Sequence, residues 1–183
     1  MSYKNVLLVS EDYIKTNTSI SDNICGDFIL PSIYFAQHQY LEEFLGSALV
    51  RKLQELVAED TINLPENVKY KELLDDYILD YLAYMVIVEI IVATSFKISN
   101  MGSVRTDGEK ESNISYNEVM KLKDYYKDKA DYIQYRTQRF LIAHYNDYPE
   151  LTNYKSVEDL QPNLYSAADV PIFLGGSRSH KIL

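Results

Sequence analysis

Cysteine, glycine, proline and tryptophan are scarce in this sequence of 183 residues, which contains 1 Cys, 6 Gly, 5 Pro and no Trp. The single cysteine, Cys25, has no internal partner for a disulfide, so a disulfide-stabilised scaffold is excluded and a reducing compartment is indicated. The low glycine and proline contents exclude collagen-like and low-complexity chains. With 46% hydrophobic and 25% charged residues, the composition predicts a soluble globular chain that buries its own core.

Basic residues are also fewer than acidic ones: the chain has 18 Lys and Arg and 27 Asp and Glu, which gives a formal net charge of -9. An acidic chain repels phosphate backbones, so sequence-independent binding of nucleic acid is disfavoured. The same charge suits a surface past which DNA moves without adhering.

Long apolar runs are missing as well. The most apolar stretch, residues 82–96, is shorter than a membrane-spanning helix and contains Glu89. The N-terminal residues lack the apolar segment of a signal peptide. We therefore expect residues 82–96 to be the buried central helix of a soluble bundle, with no membrane partner.

Hydrophobic residues recur at helical spacing through the middle of the chain. The patterns predict four helices, over residues 27–45, 47–59, 67–99 and 115–146. Asp27 is suited to cap the first helix and Gly46 to end it, while Ser47 is the expected cap of the second. The buried stripe of the first helix is predicted at Ile29, Leu30, Ile33, Ala36, Tyr40, Leu41, Phe44 and Leu45, and that of the fourth at Val119, Leu122, Tyr126, Ala130, Ile133, Phe140 and Leu141.

The remaining segments lack a helical period. Residues 1–26 predict a short extended arm that holds one short helix, around residues 12–16. Residues 100–115 are expected to form a loop or a small hairpin, because Asp107-Gly108 is a turn signal. Residues 147–183 predict a long, largely non-helical tail. The predicted fold class is therefore all-α, with a four-helix bundle domain over residues 27–146.

No recognised catalytic motif is present: the sequence lacks a phosphate-binding loop, a dinucleotide fingerprint, a nucleophile elbow and a Cys/His metal cluster. His38 and Glu42 lie four residues apart on a helix, and we interpret them as a surface pair because a metal site needs further ligands. Cys25 has no partner for nucleophilic chemistry, which favours a structural role. The sequence thus predicts no catalytic residue, no cofactor and no metal.

Two rows of carboxylates offer the main enzymatic alternative. The rows are Glu72, Asp76 and Asp80, with Asp75 adjacent, and Asp124, Asp128 and Asp131. If the rows faced each other they would hold Mg²⁺, as in all-helical nucleotide pyrophosphohydrolases. The second row is interleaved with Lys121, Lys123, Lys127 and Lys129, which favours a solvated helix face instead.

Glu89 lies within an apolar sequence and is expected to be buried. A buried carboxylate needs a partner or a proton. The expected partner is Arg136 or Arg139 on the fourth helix, or a group across an interface.

Several segments together resemble a known family. They are FILPSIYFAQHQYLEEFLGSALVRKLQELV, YKELLDDYILDYLAYMVIVEII, FKISNMGSVRTD, LKDYYKDKADYIQYRTQRFL and YPEL. In this order and spacing they are similar to the head–tail connector (adaptor) proteins of tailed bacteriophages, above all those of crAss-like phages of Bacteroidales. The resemblance covers residues 10–151, and its most specific pieces are Ile29, Pro31 and Ile33, Ala36-Gln37, Leu45-Gly46 and residues 97–102.

The resemblance implies a virion structural protein at the head–tail interface, assembled in the host cytoplasm. In that family, copies form a ring beneath the portal protein, typically a dodecamer, which extends the DNA channel and provides a platform for tail or further ring proteins. DNA passes through such a ring without specific binding, and no residue is catalytic. A tail-completion protein of the same particle is a further alternative.

Two segments are the predicted partner contacts of such a connector. The apolar tail segment Val170, Pro171, Ile172, Phe173 and Leu174 suits strand addition or docking into a pocket of a partner. The loop after the third helix carries the basic residues Arg105 and Lys110, which suit contact with the next subunit or with the channel lumen.

Overall fold

The fold is described by a computed structural model that covers residues 6–20, 24, 26–99, 102–105, 116–152 and 159–164. Its helices are α1 (Glu11–Asn17), α2 (Gly26–Phe35), α3 (Glu42–Leu45), α4 (Ser47–Ala58), α5 (Val68–Leu73), α6 (Leu79–Ser95) and α7 (Tyr116–Ala143). Short 3-10 helices occupy Pro65–Asn67, Tyr145–Asp147 and Pro149–Leu151. Apart from one small hairpin, the described fold is all-α, which confirms the predicted class.

Two of the helical rods contain a π-helical segment. Ala36–Leu41 joins α2 to α3, and Leu74–Ile78 joins α5 to α6. The backbone at both junctions of each segment is right-handed helical, so each rod is continuous. We call residues 26–45 the first rod and residues 68–95 the second rod. A π-helical turn contains one more residue than an α-helical turn, and it therefore shifts the faces that the following residues present.

The third predicted helix ends earlier than expected. Helix α6 stops at Ser95, and strands β1 (Phe96–Ser99) and β2 (Gly102–Arg105) form an antiparallel hairpin. Phe96 is opposite Arg105, and Ser99 is opposite Gly102. The sequence Phe-Lys-Ile-Ser alternates apolar and polar residues, which is the period of a strand and not of a helix.

Gly46 ends the first rod, as predicted. Its φ of 80° lies in the region that favours glycine, and a Cβ atom there would be 2.9 Å from the Pro162 nitrogen. Ser47 does not cap α4 as expected. Its hydroxyl instead accepts a hydrogen bond from the Leu160 N–H at 3.1 Å, so this turn holds the C-terminal segment against the bundle.

The core lies around α6, which packs against α2 on one side and α7 on another. Fully buried residues include Ile29, Ile33, Leu41, Leu45, Leu49, Leu53, Leu73, Ile78, Leu82, Val86 and Leu141. The burial of Leu82 and Val86 confirms the central position predicted for the most apolar stretch. By length and composition, the helix Pro65–Thr94 would also be able to cross a membrane, with a window of mean hydropathy 1.8, but half of that window is buried by the protein.

The core includes residues outside 27–146. From the N-terminal side it contains Leu8, Val9 and Ile14, and the short helix predicted there is present as α1. The buried Gln37 amide holds this segment, since its Oε1 accepts from the Leu8 N–H and its Nε2 donates to the Val6 carbonyl, both at 2.9 Å.

The described part of the predicted C-terminal tail also belongs to the core. Tyr148, Leu151 and Leu164 are buried in it. Two short 3-10 helices, Tyr145–Asp147 and Pro149–Leu151, follow α7. The segment from residue 147 to residue 164 therefore packs on the bundle wherever the structure describes it, which differs from the expected extended tail.

Candidate interaction surfaces

The predicted partner-binding residues lie almost entirely outside the described part of the chain. Val170, Pro171, Ile172, Phe173, Leu174 and Lys110 are in the undescribed ranges, as are Cys25 and the Asp107-Gly108 turn. Arg105 is the last residue of β2. These contacts therefore stay predictions.

The two acidic rows are not gathered into a metal site. Asp80 accepts a hydrogen bond from the Tyr13 hydroxyl at 2.7 Å, Asp75 pairs with Lys71 at 2.8 Å, and Asp131 pairs with Lys127 at 2.8 Å. Among the described residues, no group of three His, Cys, Asp or Glu side chains is close enough to hold a metal ion.

His38 and Glu42 form the predicted pair, with Nδ1 of the imidazole 2.8 Å from the carboxylate. The Tyr34 ring lies against the imidazole, at 4.3 Å between centroids. The two residues therefore pair with each other on one helix, but both side chains are partly buried, which differs from the predicted surface pair.

Glu89 has a different partner from the one predicted. The Tyr40 hydroxyl donates to its Oε1 at 2.6 Å, whereas the Arg136 guanidinium lies over the Tyr77 ring at 5.7 Å. Burial raises the pKa of the Tyr40 phenol well above its usual range, and the Glu89 carboxylate raises it further. Tyr40 lies in the π-helical segment, and this hydrogen bond ties that segment to α6.

Tyr40→Phe is therefore expected to destabilise the protein by about 1.5–3 kcal/mol, the usual loss for a hydrogen bond to a charged group. Glu89→Gln keeps an acceptor for Tyr40 and is expected to lose less. Urea unfolding followed by circular dichroism measures both, with Tyr132→Phe as the control at a ring that is 64% exposed. If Tyr40→Phe and the control are equally stable, the hydrogen bond between Tyr40 and Glu89 does not stabilise the fold as expected.

The outer face of α2 is an exposed apolar surface. Phe28, Leu30, Tyr34 and Phe35 are each between 43% and 48% exposed, and Pro31 is exposed beside them. The inner face of the same helix buries Ile29 and Ile33. A helix that is apolar on all sides needs neighbours on more than one side. We call these five exposed residues the α2 face.

The second surface is a shallow groove between α6 and α7, with a volume of about 400 Å³. Half of its lining residues are tyrosines, and the lining consists of Tyr84, Tyr125, Asp128, Lys129, Tyr132 and Ile133. The Lys129 ammonium lies 4.4 Å from the Tyr125 ring centroid, 5.2 Å from that of Tyr84 and 5.7 Å from that of Tyr126. We call this surface the tyrosine groove.

Electrostatics in the tyrosine groove favour the charged form of the lysine. A hydrogen bond with the Tyr125 side chain raises the pKa of Lys129, with a smaller contribution from the neighbouring tyrosines. A cation over aromatic rings is attracted by their negative faces. The groove therefore combines three tyrosine rings with the Lys129 ammonium and the Asp128 carboxylate.

A smaller pocket of about 170 Å³ lies between the α3 end of the first rod and α7. Its polar side chains include Glu43, Tyr81 and Asp131. Burial raises the pKa of the Tyr81 phenol well above its usual range, and Asp131 and Glu43 add to the shift. Lys127, which also lines this pocket, pairs with Asp131 at 2.8 Å.

A family model matches residues 41–159, which is more than half of the chain. The chain belongs to DUF6712, a family of unknown function. The DUF6712 match includes every residue of the tyrosine groove and begins after the α2 face. No curated protein and no solved structure matches the chain.

Sequence reasoning missed both surfaces. The helical spacing placed Leu30 and Leu122 on buried stripes, but they are 48% and 47% exposed. One signal was available in α2, where Phe28, Tyr34 and Phe35 are aromatic although they fall outside the i, i+4 stripe of Ile29 and Ile33.

Proposed function

We propose that this DUF6712 protein is a virion structural subunit of the head–tail connector of a tailed bacteriophage. In this proposal its helical rods form a four-helix connector-type bundle, and copies of it assemble as a ring beneath the portal protein. The ring extends the DNA channel and offers a platform for the tail. The resemblance over residues 10–151 supplies the specific role.

The observation that carries the proposal is the presence of two separate aromatic surfaces on one small domain. The Tyr84 side chain of α6 lines the tyrosine groove on the α7 side, while Glu89 of α6 meets Tyr40 of the first rod. The two residues are five positions apart, so they project from α6 in directions about 140° apart. A closed ring of identical subunits needs two different, complementary patches on each subunit, which two such surfaces provide.

The charge of the chain agrees with a channel wall. A net charge of -9 disfavours adhesion of DNA, so DNA moves through the lumen without specific binding. Three of the seven carboxylates that would serve a Mg²⁺-dependent hydrolase are held separately, Asp80 by Tyr13, Asp75 by Lys71 and Asp131 by Lys127.

The test is light scattering over a concentration series, followed by negative-stain imaging and by capture on the purified portal protein. We expect closed rings, or a monomer that forms them on the portal. Binding to tail components but not to the portal would move the protein to a tail-completion role. Mg²⁺-dependent nucleotide hydrolysis that is lost in Asp76→Ala and Asp80→Ala would overturn the structural role.

A further inference from the structure

We infer that the α2 face of one copy packs into the tyrosine groove of the next copy. This inference rests on the proposed ring and names its subunit contact. The partner on each surface is thus a second copy of this chain, joined in a head-to-tail manner.

The two surfaces match in length and in chemistry. On the α2 face, Phe28 and Phe35 are seven residues apart, and in the groove Tyr125 and Tyr132 have the same separation. Seven residues are two helical turns, or about 10 Å along each axis. Aromatic side chains from both copies would therefore meet over one shared length, as they do in the core of a protein interface.

The elements that carry the two surfaces differ in net charge. Residues 16–50, which include the α2 face, contain four acidic residues and no Lys or Arg. Helix α7 has six basic residues against four acidic ones, a net charge of +2 in a chain whose total is -9. Asp27 is exposed at the start of α2, whereas Lys129 lies at the groove beside Asp128. Complementary charge of this kind favours the pairing of α2 with α7.

The same charges disfavour a symmetric dimer. A contact of the α2 face with its own copy would bring two acidic segments together, and a contact of two grooves would bring together two α7 helices, each with a net charge of +2. Like charges across an interface reduce affinity. A head-to-tail contact avoids both of these like-charge pairings. It leaves an α2 face free at one end of the assembly and a tyrosine groove free at the other, so that copies add until a ring closes.

Cross-linking between single-cysteine variants tests this pairing. In a Cys25→Ser background, which removes the native thiol, Leu30→Cys marks the α2 face and Tyr132→Cys marks the groove. Both native side chains are exposed, so neither change opens the core. With a short bis-maleimide, a mixture of the two variants is expected to give covalent dimers, while each variant alone gives none. A chain carrying both changes is expected to give a ladder of higher oligomers.

Tyr145→Cys in place of Tyr132→Cys is the matched control, since Tyr145 is exposed but outside both surfaces. Each experiment is run with the free protein and with the portal-bound protein. Dimers from Leu30→Cys alone or from Tyr132→Cys alone would indicate a symmetric contact and overturn the inference. If rings form but the mixture of Leu30→Cys and Tyr132→Cys gives no cross-linked dimers, the inferred contact is also overturned, while the proposed ring function stands. A protein that binds no portal and forms no ring refutes the proposed function itself.

Discussion

Removal of residues 165–183 is expected to leave the helical fold intact, whereas removal of residues 159–183 is expected to destabilise it by about 2 kcal/mol or more. The difference comes from six residues that dock on the bundle. Asp159 accepts two hydrogen bonds from the Arg51 guanidinium, at 2.7 and 2.8 Å, and its side chain is only 5% exposed. Leu164 is buried in the core.

Backbone hydrogen bonds add to this docking. Ser47 N–H donates to the Leu160 carbonyl at 3.1 Å, and Asn163 N–H donates to the Phe44 carbonyl at 3.0 Å. The Gln138 amide donates to the Asn163 carbonyl at 2.9 Å. Each contributes about 0.5–1.5 kcal/mol, and the chain entropy recovered when six residues are released offsets part of the total.

Urea unfolding of the two truncated chains, followed by circular dichroism at 222 nm, measures this difference. Asp159→Asn in the full-length chain isolates the contribution of the Arg51 pair. Loss of helicity in the 165–183 deletion would contradict the expected result. If the apolar segment Val170–Leu174 contacts a partner as proposed, the same deletion weakens ring formation or portal binding although its stability is unchanged.

Local sequence patterns predict the helices well because each buried stripe is set by neighbouring residues. The spacing of Ile29 and Ile33, the glycine at position 46 and the apolar run around Leu82 are all visible within a few residues of sequence, although the burial itself comes from packing between helices. The strand that begins at Phe96 can also be predicted from the sequence, since the alternation of apolar and polar residues along it is a local pattern.

The docking of both chain ends depends on partners that are distant in the sequence. Gln37 holds Val6 from 31 residues away, and Arg51 holds Asp159 from 108 residues away. The spacing of residues within the segments around Val6 and Asp159 does not indicate such a distant partner. Local patterns therefore predict an extended arm and an extended tail, although the described parts of both segments contribute residues to the core.

The candidate surfaces were missed for a related reason. An apolar residue on a helix indicates burial, but the sequence does not state whether the covering group belongs to the same chain or to another. The π-helical segments also shift the face on which later residues project, so an ideal period assigns some of them to the wrong side. Leu30 and Tyr132 illustrate how residues typical of a core lie at the surface of the isolated chain.

Alkaline pH is expected to unfold the protein steeply. Burial raises the pKa of Tyr70, Tyr81 and Tyr148 well above the ordinary value of about 10. Because the folded pKa exceeds the unfolded one, the neutral phenols stabilise the fold fully below about pH 10, and this stability is lost as the pH rises toward the folded pKa. Each buried phenol loses up to about 1.4 kcal/mol per pH unit in that range.

Tyr81→Phe isolates this effect from the titration of other groups. The Tyr81 side chain is buried, so the variant keeps the ring and removes one titrating phenol from the pocket that Glu43 and Asp131 line. Urea unfolding from about pH 8 to about pH 12, with phenolate absorbance at 295 nm in parallel, gives the slope of the unfolding free energy against pH. We expect the variant's slope above about pH 10 to be shallower by up to about 1.4 kcal/mol per pH unit. An identical slope in both proteins would show that the Tyr81 phenol titrates alike in the folded and unfolded chains, and it would place that phenol in contact with water.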